Sequence, residues 1–530
     1  MKNFDYFGVM IDCSRNAVPS VSGLKHFFDI LSKMGYNCAM LYTEDTYTVE
    51  NEPYFGYKRG RYTDAELQEL DRYAASVGIE LIPCVQTLAH LNQIFRWRDY
   101  QPVCDIDDIL LIDDERTMTL IRNMFGSLAK NFTSRKIHIG MDEAHHVGLG
   151  KYLDRHGLKN RFELILSHLN RVCELAKEYG FEPMMWEDMF FRLMNNGGFY
   201  SDKPVDFPEE VLRKVPDNCT MVYWDYYTTD EKVYDAMFQS SKRLSDKVWF
   251  AGGAWVWGSM TPANRYSMIR NEMALKYCKK HDVRNVILTM WGDNGGECPY
   301  MDGLAALMHA AAQAEDMTEA EMKAKFFEAT GESYDAFVGL DLPSFSRDPQ
   351  DEPAMGRHER LTLYDDLLLG ICSRITSADG SVYPGYAKQL HQWAAESPAH
   401  GYLFETQACL CDILAIKFHL PTKIRALYAA GDKDGLRQIA EEVCPELVRR
   451  LEAYYRAFRT QWYTVNKTYG FEVQDIRLGG LIRRTENCRA MLLDYCDGRI
   501  DRIEELEEGI LSVKGCAVHP WANTVSANIL

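Results

Sequence analysis

Eight short, almost uninterrupted apolar runs alternate with longer amphipathic stretches up to about residue 315, and that alternation restricts the fold more than any other feature of the chain. The runs are FDYFGVMID (4–12), YNCAMLYTED (36–45), IELIPCVQT (79–87), RKIHIGMDE (135–143), PMMWED (183–188), CTMVYWDYY (219–227), KVWFAGGAWVWG (247–258) and RNVILTMWGDN (284–294). Runs without polar alternation are expected of strands buried on both faces, as in an all-parallel sheet. Between them, 21–35, 64–78, 115–132 and 160–180 carry apolar residues at helical spacing. Several begin at Ser, Thr or Asp and end at Gly, as capping chemistry prefers. Eight such units are what a closed (β/α)8 TIM barrel, an α/β fold, requires. An open doubly wound sheet is the alternative, but no Gly-rich phosphate loop follows any run.

The pattern changes after Asp316. From 357 onward nearly every stretch reads as helix. The expected organisation is a barrel over 1–320, a linker over 321–356 containing the polar DLPSFSRDPQDEPAMG (341–356), and an all-α C-terminal domain over 357–530. The last residues, HPWANTVSANIL, read as a β-prone tail packed on the barrel. No apolar run approaches the ~18 residues that span a bilayer. A net charge of −18 repels phosphate backbones and anionic lipid, which argues against nucleic-acid and membrane partners. The start, MKNFDYFGVMID, lacks an apolar h-region, so no signal peptide is expected. The 15 cysteines include no CxxC pair and read as reduced thiols, which predicts a cytoplasmic protein.

Reactive groups of such barrels gather at the C-terminal ends of the strands. Here those ends carry Asp12 and Arg15, Glu44 and Asp45, His90, Asp142 and Glu143 after His138, and Trp186, Glu187 and Asp188. The later runs add Trp224, Asp225, Tyr226 and Tyr227, then Trp255 and Trp257, then Trp291 and Asp293. Carboxylates that hold hydroxyls, together with indole walls that stack on sugar faces, suit a carbohydrate. Glycosidic cleavage needs a proton for the leaving oxygen and stabilisation of an oxocarbenium-like centre.

Several of these segments resemble glycoside hydrolase family 20, the β-N-acetylhexosaminidases. HIGMDE (138–143) resembles the family's H-x-G-x-D-E signature. GVMIDCSRNAVPS (8–20) is similar to its first strand, where an Arg grips the non-reducing sugar. YTED (42–45) and WGD (291–293) are similar to its second and eighth strand ends, the latter with Asp in place of Glu. His90 falls where the family has M-P-G-H, although the text here is TLAH. The loop 47–63 and the helical C-terminal domain resemble the subgroup without an N-terminal α/β domain.

The resemblance implies an exo-acting enzyme that removes terminal β-linked N-acetylglucosamine, or N-acetylgalactosamine, from a small or oligosaccharide substrate, without cofactor or metal. The substrate's own acetamido oxygen would attack the anomeric carbon, with retention of configuration. Asp142 would accept the acetamido N–H, and Glu143 would protonate the leaving oxygen and then activate water. Arg15, Asp45, His90, His138, Trp224, Tyr226, Trp255, Trp291 and Asp293 would bind the sugar. Strand 7 lacks the family's acetamido-holding Tyr, which leaves Tyr226 or Tyr227 as candidates. Glu187 and Asp188 read equally as structural or functional. Two rivals stand beside this reading: a metal-dependent barrel hydrolase using His138, Asp142 and His145, and a sugar-binding protein without catalysis. A homodimer is expected, since barrels with such helical additions often pair through them.

Overall fold

The computed structural model describes residues 3–347, 349, 358–373, 380–511 and 520–528. Eight parallel strands close into a barrel: β1 (Tyr6–Asp12), β2 (Cys38–Tyr42), β3 (Glu80–Cys84), β4 (Lys136–His138), β5 (Glu182–Trp186), β6 (Thr220–Trp224), β7 (Val248–Gly253) and β8 (Asn285–Met290). Each pairs with its neighbour in sequence, and β1 pairs with β8. Almost every strand residue is buried, which explains runs that are apolar throughout. At Gly8, register places Cys38 on one side and Ile287 on the other. A Cβ there would lie 2.3 Å from Cys38 Sγ, so only glycine fits.

The helices begin and end where the capping residues place them. Ser20 accepts from Gly23 N at 3.0 Å to start Val21–Met34, and Gly35, at φ 100°, stops it. Thr63 and Glu66 form a reciprocal capping box at Asp64–Ser76. The strands are shorter than the apolar runs, because left-handed backbone follows several of them. A small antiparallel hairpin, Cys104–Ile106 with Ile109–Leu110, lies in the long connection after β3 and has no counterpart in the sequence reading.

Two compact units make up the chain. The first comprises Met1–Ala254, Ser267–Trp291 and Ala306–Thr330, and holds the barrel. The second comprises Trp255–Tyr266, Gly292–Ala305 and Gly331–Leu530. Its long helices are Tyr383–Glu396, Gly401–Lys417, Cys444–Val465 and Phe471–Cys496. Buried carboxylates tie its segments together. Glu359 accepts from Ser259 and Thr261, and Glu297 accepts from Tyr364 and Arg477.

The stretch 321–356 includes the rest of helix Glu319–Thr330, then helix Tyr334–Val338 and the 3-10 turn Gly339–Ser344. Residues 348 and 350–356 of that stretch lie outside the described residues. The tail is helical rather than β: Pro520, at φ −62°, leads into the short helix Trp521–Val525. Within the second unit, Arg477 lies over the Trp521 ring and Arg360 donates to Thr524 Oγ1. The tail residues His519, Ile529 and Leu530 are outside the described set. Among the described residues, no helix is long and apolar enough to cross a membrane.

Candidate active site

Strand β4 stops at His138 because the next residues turn into left-handed backbone: Gly140 at φ 72°, Met141 at 75° and Glu143 at 50°. Gly140 is required there, since a Cβ would lie 2.0 Å from Gln86 Oε1. Non-glycine residues pay strain in this region, of order 1–3 kcal/mol each. Asn16, Glu44 and His90, which follow β1, β2 and β3, share it at 72°, 42° and 57°. Four consecutive strand ends thus carry residues in sparsely populated backbone, and two of them, His90 and Glu143, bring their side chains within 3.8 Å.

Gln86 organises the centre. Its Oε1 accepts from Met141 N at 3.1 Å, while its Nε2 donates to Asp142 Oδ1 at 2.7 Å and Tyr42 Oη at 3.0 Å. His90 Nε2 lies 3.2 Å from Asp142 Oδ2, and 3.8 Å from Glu143 Oε2. Arg192 completes the group. It donates from Nε to Asp188 Oδ2 at 2.8 Å and from Nη2 to Glu143 Oε1 at 3.4 Å. On the other side Arg15 pairs with Asp12 at 3.0 Å and Glu44 at 3.3 Å. Its guanidinium lies 4.9 Å from the Tyr42 ring centre and 5.4 Å from that of Trp291, an arrangement that fixes a cation against aromatic walls.

The charges differ sharply between neighbours. Burial works against a charge on His90, but the adjacent Asp142 carboxylate outweighs it and raises the imidazole to about 10. Asp142 is likewise pushed up by burial, yet the imidazolium and the Gln86 amide hold it below its ordinary range. Asp188 goes the other way: burial first, then the Asp142 charge, raise its carboxyl. Its Oδ2 accepts from Arg192 and from Glu143 N, while its buried Oδ1 has no hydrogen-bond partner among the described residues. Burial also raises Glu187 to about 8, with Ser241 Oγ donating to it at 2.5 Å. His138 is buried, and that burial lowers it to about 3. Its Nδ1 accepts from Gly140 N at 3.1 Å, so the proton of the neutral ring is on Nε2. The result is one carboxylate, Asp142, held low by a cation, a second, Asp188, raised by burial, and Glu143 with 41% of its side chain exposed.

Aromatic rings surround this group. The His138 ring lies 4.3 Å from Trp186, and Trp186 lies 6.1 Å from Trp291. Burial raises the Tyr226 hydroxyl, which hydrogen-bonds the side chains of Thr289 and Trp291. Trp224 stacks on Tyr226 at 5.3 Å. Asp45 is buried beside Arg59 at 3.0 Å, and its Oδ2 has no hydrogen-bond partner among the described residues.

Of the residues read from sequence, Arg15, His90, His138, Asp142, Glu143, Tyr226 and Trp291 thus fall in one contact network of the first unit, with Trp224 against Tyr226. Trp255 and Asp293 belong to the second unit. There Trp255 stacks on Trp257 at 4.0 Å, and the Asp293 carbonyl accepts from Gly258 N at 3.1 Å. Tyr42, Gln86 and Arg192 were not foreseen as site residues. Arg192 stands four residues after Asp188, a helical pairing legible in sequence. Gln86, an amide inside an apolar run, gives no such signal. Among the described residues, no three His, Cys, Asp or Glu side chains are grouped to hold a metal ion.

Two family models match the chain and together span most of it. One is the glycosyl hydrolase family 20 catalytic domain, over residues 4–241, and the other is the glycoside hydrolase 20C C-terminal domain, over 335–523. Hexosaminidase D of Bos taurus is 24% identical over 52% of this chain and 82% of its own length. Hexosaminidase D of Homo sapiens is 24% identical over 43% of this chain, which spans 46% of that relative. Similar solved structures include a GH20 exo beta-N-acetylglucosaminidase of Vibrio harveyi, 15% identical, at TM-score 0.46 over 64% of this chain and 58% of that one. A chitobiase of Flavobacterium johnsoniae is 14% identical, at TM-score 0.47 over 95% and 74%.

Proposed function

The chain belongs to glycoside hydrolase family 20 and is a β-N-acetylhexosaminidase; on that premise we propose how its residues divide the work. The enzyme removes terminal β-linked N-acetylglucosamine, with N-acetylgalactosamine the second candidate, by retaining, substrate-assisted hydrolysis. The observation that carries this reading is the Asp142–Glu143 turn, with one carboxylate ionised and fixed and the other open to solvent. Asp142, held by Gln86 and His90, accepts the acetamido N–H and polarises the acetamide. The acetamide oxygen bonds to C1 as the glycosidic bond breaks, and Glu143 delivers its proton to the leaving oxygen. Asp142 then faces the positive charge of the cyclised intermediate, a fixed anion where charge develops. Glu143, now ionised, takes a proton from the water that opens the ring at C1. Arg15 holds sugar hydroxyls, Asp45 and His138 support the pocket, and Trp224, Tyr226 and Trp291 wall it, with Trp255 and Asp293 retained as candidate contacts.

The 15 cysteines of the sequence include no CxxC pair, which supports a reducing, cytoplasmic setting. Exposed Tyr463, Tyr469 and Ile476 on the helical unit support a homodimer, which sizing chromatography tests.

Turnover of a chromogenic β-N-acetylglucosaminide, against the matching β-glucoside, tests the reaction. Only the acetamido substrate is expected to react, and an N-acetylglucosamine thiazoline is expected to inhibit competitively. Equal turnover of the glucoside, or a covalent glycosyl ester trapped on any carboxylate, overturns substrate assistance. Dialysis against EDTA is expected to leave the rate unchanged.

A further inference from the structure

Three aromatic rings stand together at the surface, on the loops that follow strands β2 and β3. Tyr54 and Trp97 stack at 5.6 Å, Tyr57 meets Trp97 edge-on at 5.5 Å, and Tyr54 meets Tyr57 at 5.9 Å. Tyr54 and Tyr57 are each 40% exposed. The rings come from two connections, the loop after β2 and the loop after β3, which also deliver Asp45 and His90. Solvent-facing rings held side by side are unusual unless something binds them.

The first loop is pinned against the pocket rather than swinging free. Gly56, between the two tyrosines, sits so close to strand end 2 that a Cβ would lie 2.0 Å from the Asp45 carbonyl oxygen. Arg59 pairs with Asp45 and donates to Ser14 O. Buried Phe55 packs against Tyr47 and Tyr100, while Arg116 holds Glu52 through two bonds of 2.7 Å. The loop that carries Tyr54 and Tyr57 is therefore fixed to strand end 2 on both sides of Tyr57, at Gly56 and at Arg59.

Size decides what they bind. Rings of this kind carry ~150–250 Å² each, and less than half is open here, whereas a stable protein partner buries ~800 Å² per side. A pyranose ring presents an apolar face of the right extent. We propose that Tyr54, Tyr57 and Trp97 form a stacking platform for a sugar ring of the aglycone, beyond the glycosidic oxygen. This rests on the reading of the pocket as a β-N-acetylhexosaminidase site. The enzyme is then built for glycan leaving groups rather than small alkyl or aryl ones.

The test compares kcat/KM on N,N′-diacetylchitobiose with kcat/KM on methyl β-N-acetylglucosaminide, which has no aglycone ring. In the Tyr54→Ala/Tyr57→Ala/Trp97→Ala variant, the ratio of the first to the second is expected to fall about 10-fold, mainly through KM. Tyr54→Phe and Trp97→Phe keep a ring and should hold the ratio within about twofold of wild type. An unchanged ratio in the alanine variant, or equal losses on both substrates, overturns the platform. If wild type cleaves neither glycoside, the parent reading fails instead. Tryptophan fluorescence titrated with the disaccharide then decides the platform: identical curves for wild type and Trp97→Phe overturn it.

Discussion

Glu143 and Glu187 are both carboxylic acids close to strand ends 4 and 5, and their surroundings assign them opposite behaviour. Glu143 faces solvent between Arg192 and His90. Replacing it with Gln is expected to lower kcat at least ~100-fold on sugar or methyl leaving groups. The loss should be smaller on activated aryl leaving groups, which need little protonation; equal losses in steady-state assays would remove Glu143 from the acid role. Glu187 is fully buried, and burial raises it to about 8 from an ordinary 4.5. Between those values the folded state holds a proton that the unfolded state has released, so stability falls as pH rises. Glu187→Gln removes that titration. The variant's melting temperature, relative to wild type, is expected to climb between pH 5 and pH 8, and a pH-independent difference would contradict a buried neutral acid.

At the scale of an element, the turn after β4 shows how backbone sets chemistry. Gly140 makes room for the Gln86 side chain, and Gln86 in turn fixes Asp142. Gly140→Ala should displace Gln86 and cost about 1–3 kcal/mol of stability. The rate should fall ~10–100-fold, with kcat more affected than KM; a variant with wild-type kcat would show that Gln86 does not position Asp142. The barrel and its helices were legible because apolar runs and caps act locally, as at Ser20, Gly35 and Thr63. Strand ends were less so. The run 135–143 reads as one strand, but left-handed residues at 140, 141 and 143 end it at His138. Such strain is set by packing from other elements, which sequence periodicity does not carry. The same holds for the site: Arg15, His90, Asp142 and Glu143 stand out at strand ends, while Gln86 acquires its role only when β3 and β4 lie side by side. The tail was misread because a short helix begun by Pro520 leaves little periodicity to detect.

For the whole molecule, the two units are interleaved along the chain. Segments 255–266 and 292–305, which follow β7 and β8, belong to the helical unit. Inside that unit Asp341 holds Arg265, and Gln407 donates to Met260 O at 2.9 Å and Asp302 Oδ2 at 3.2 Å. A chain ended at residue 330 keeps both segments and strips them of these partners. Buried polar groups left unpaired cost about 1–3 kcal/mol each. That truncation is expected to express insolubly, and a soluble, active product in a sedimentation assay would show that the barrel does not need the rest.

This arrangement has a consequence for how the enzyme can be rebuilt. Exchanging the helical unit between relatives takes three segments and five junctions rather than one, since two of its pieces are written within the stretch that encodes the barrel. A chimera joined only near residue 330 pairs one parent's Arg265, Asp302 and Ser259 with the other parent's helices. Its success depends on whether positions 341, 359 and 407 were inherited together with them.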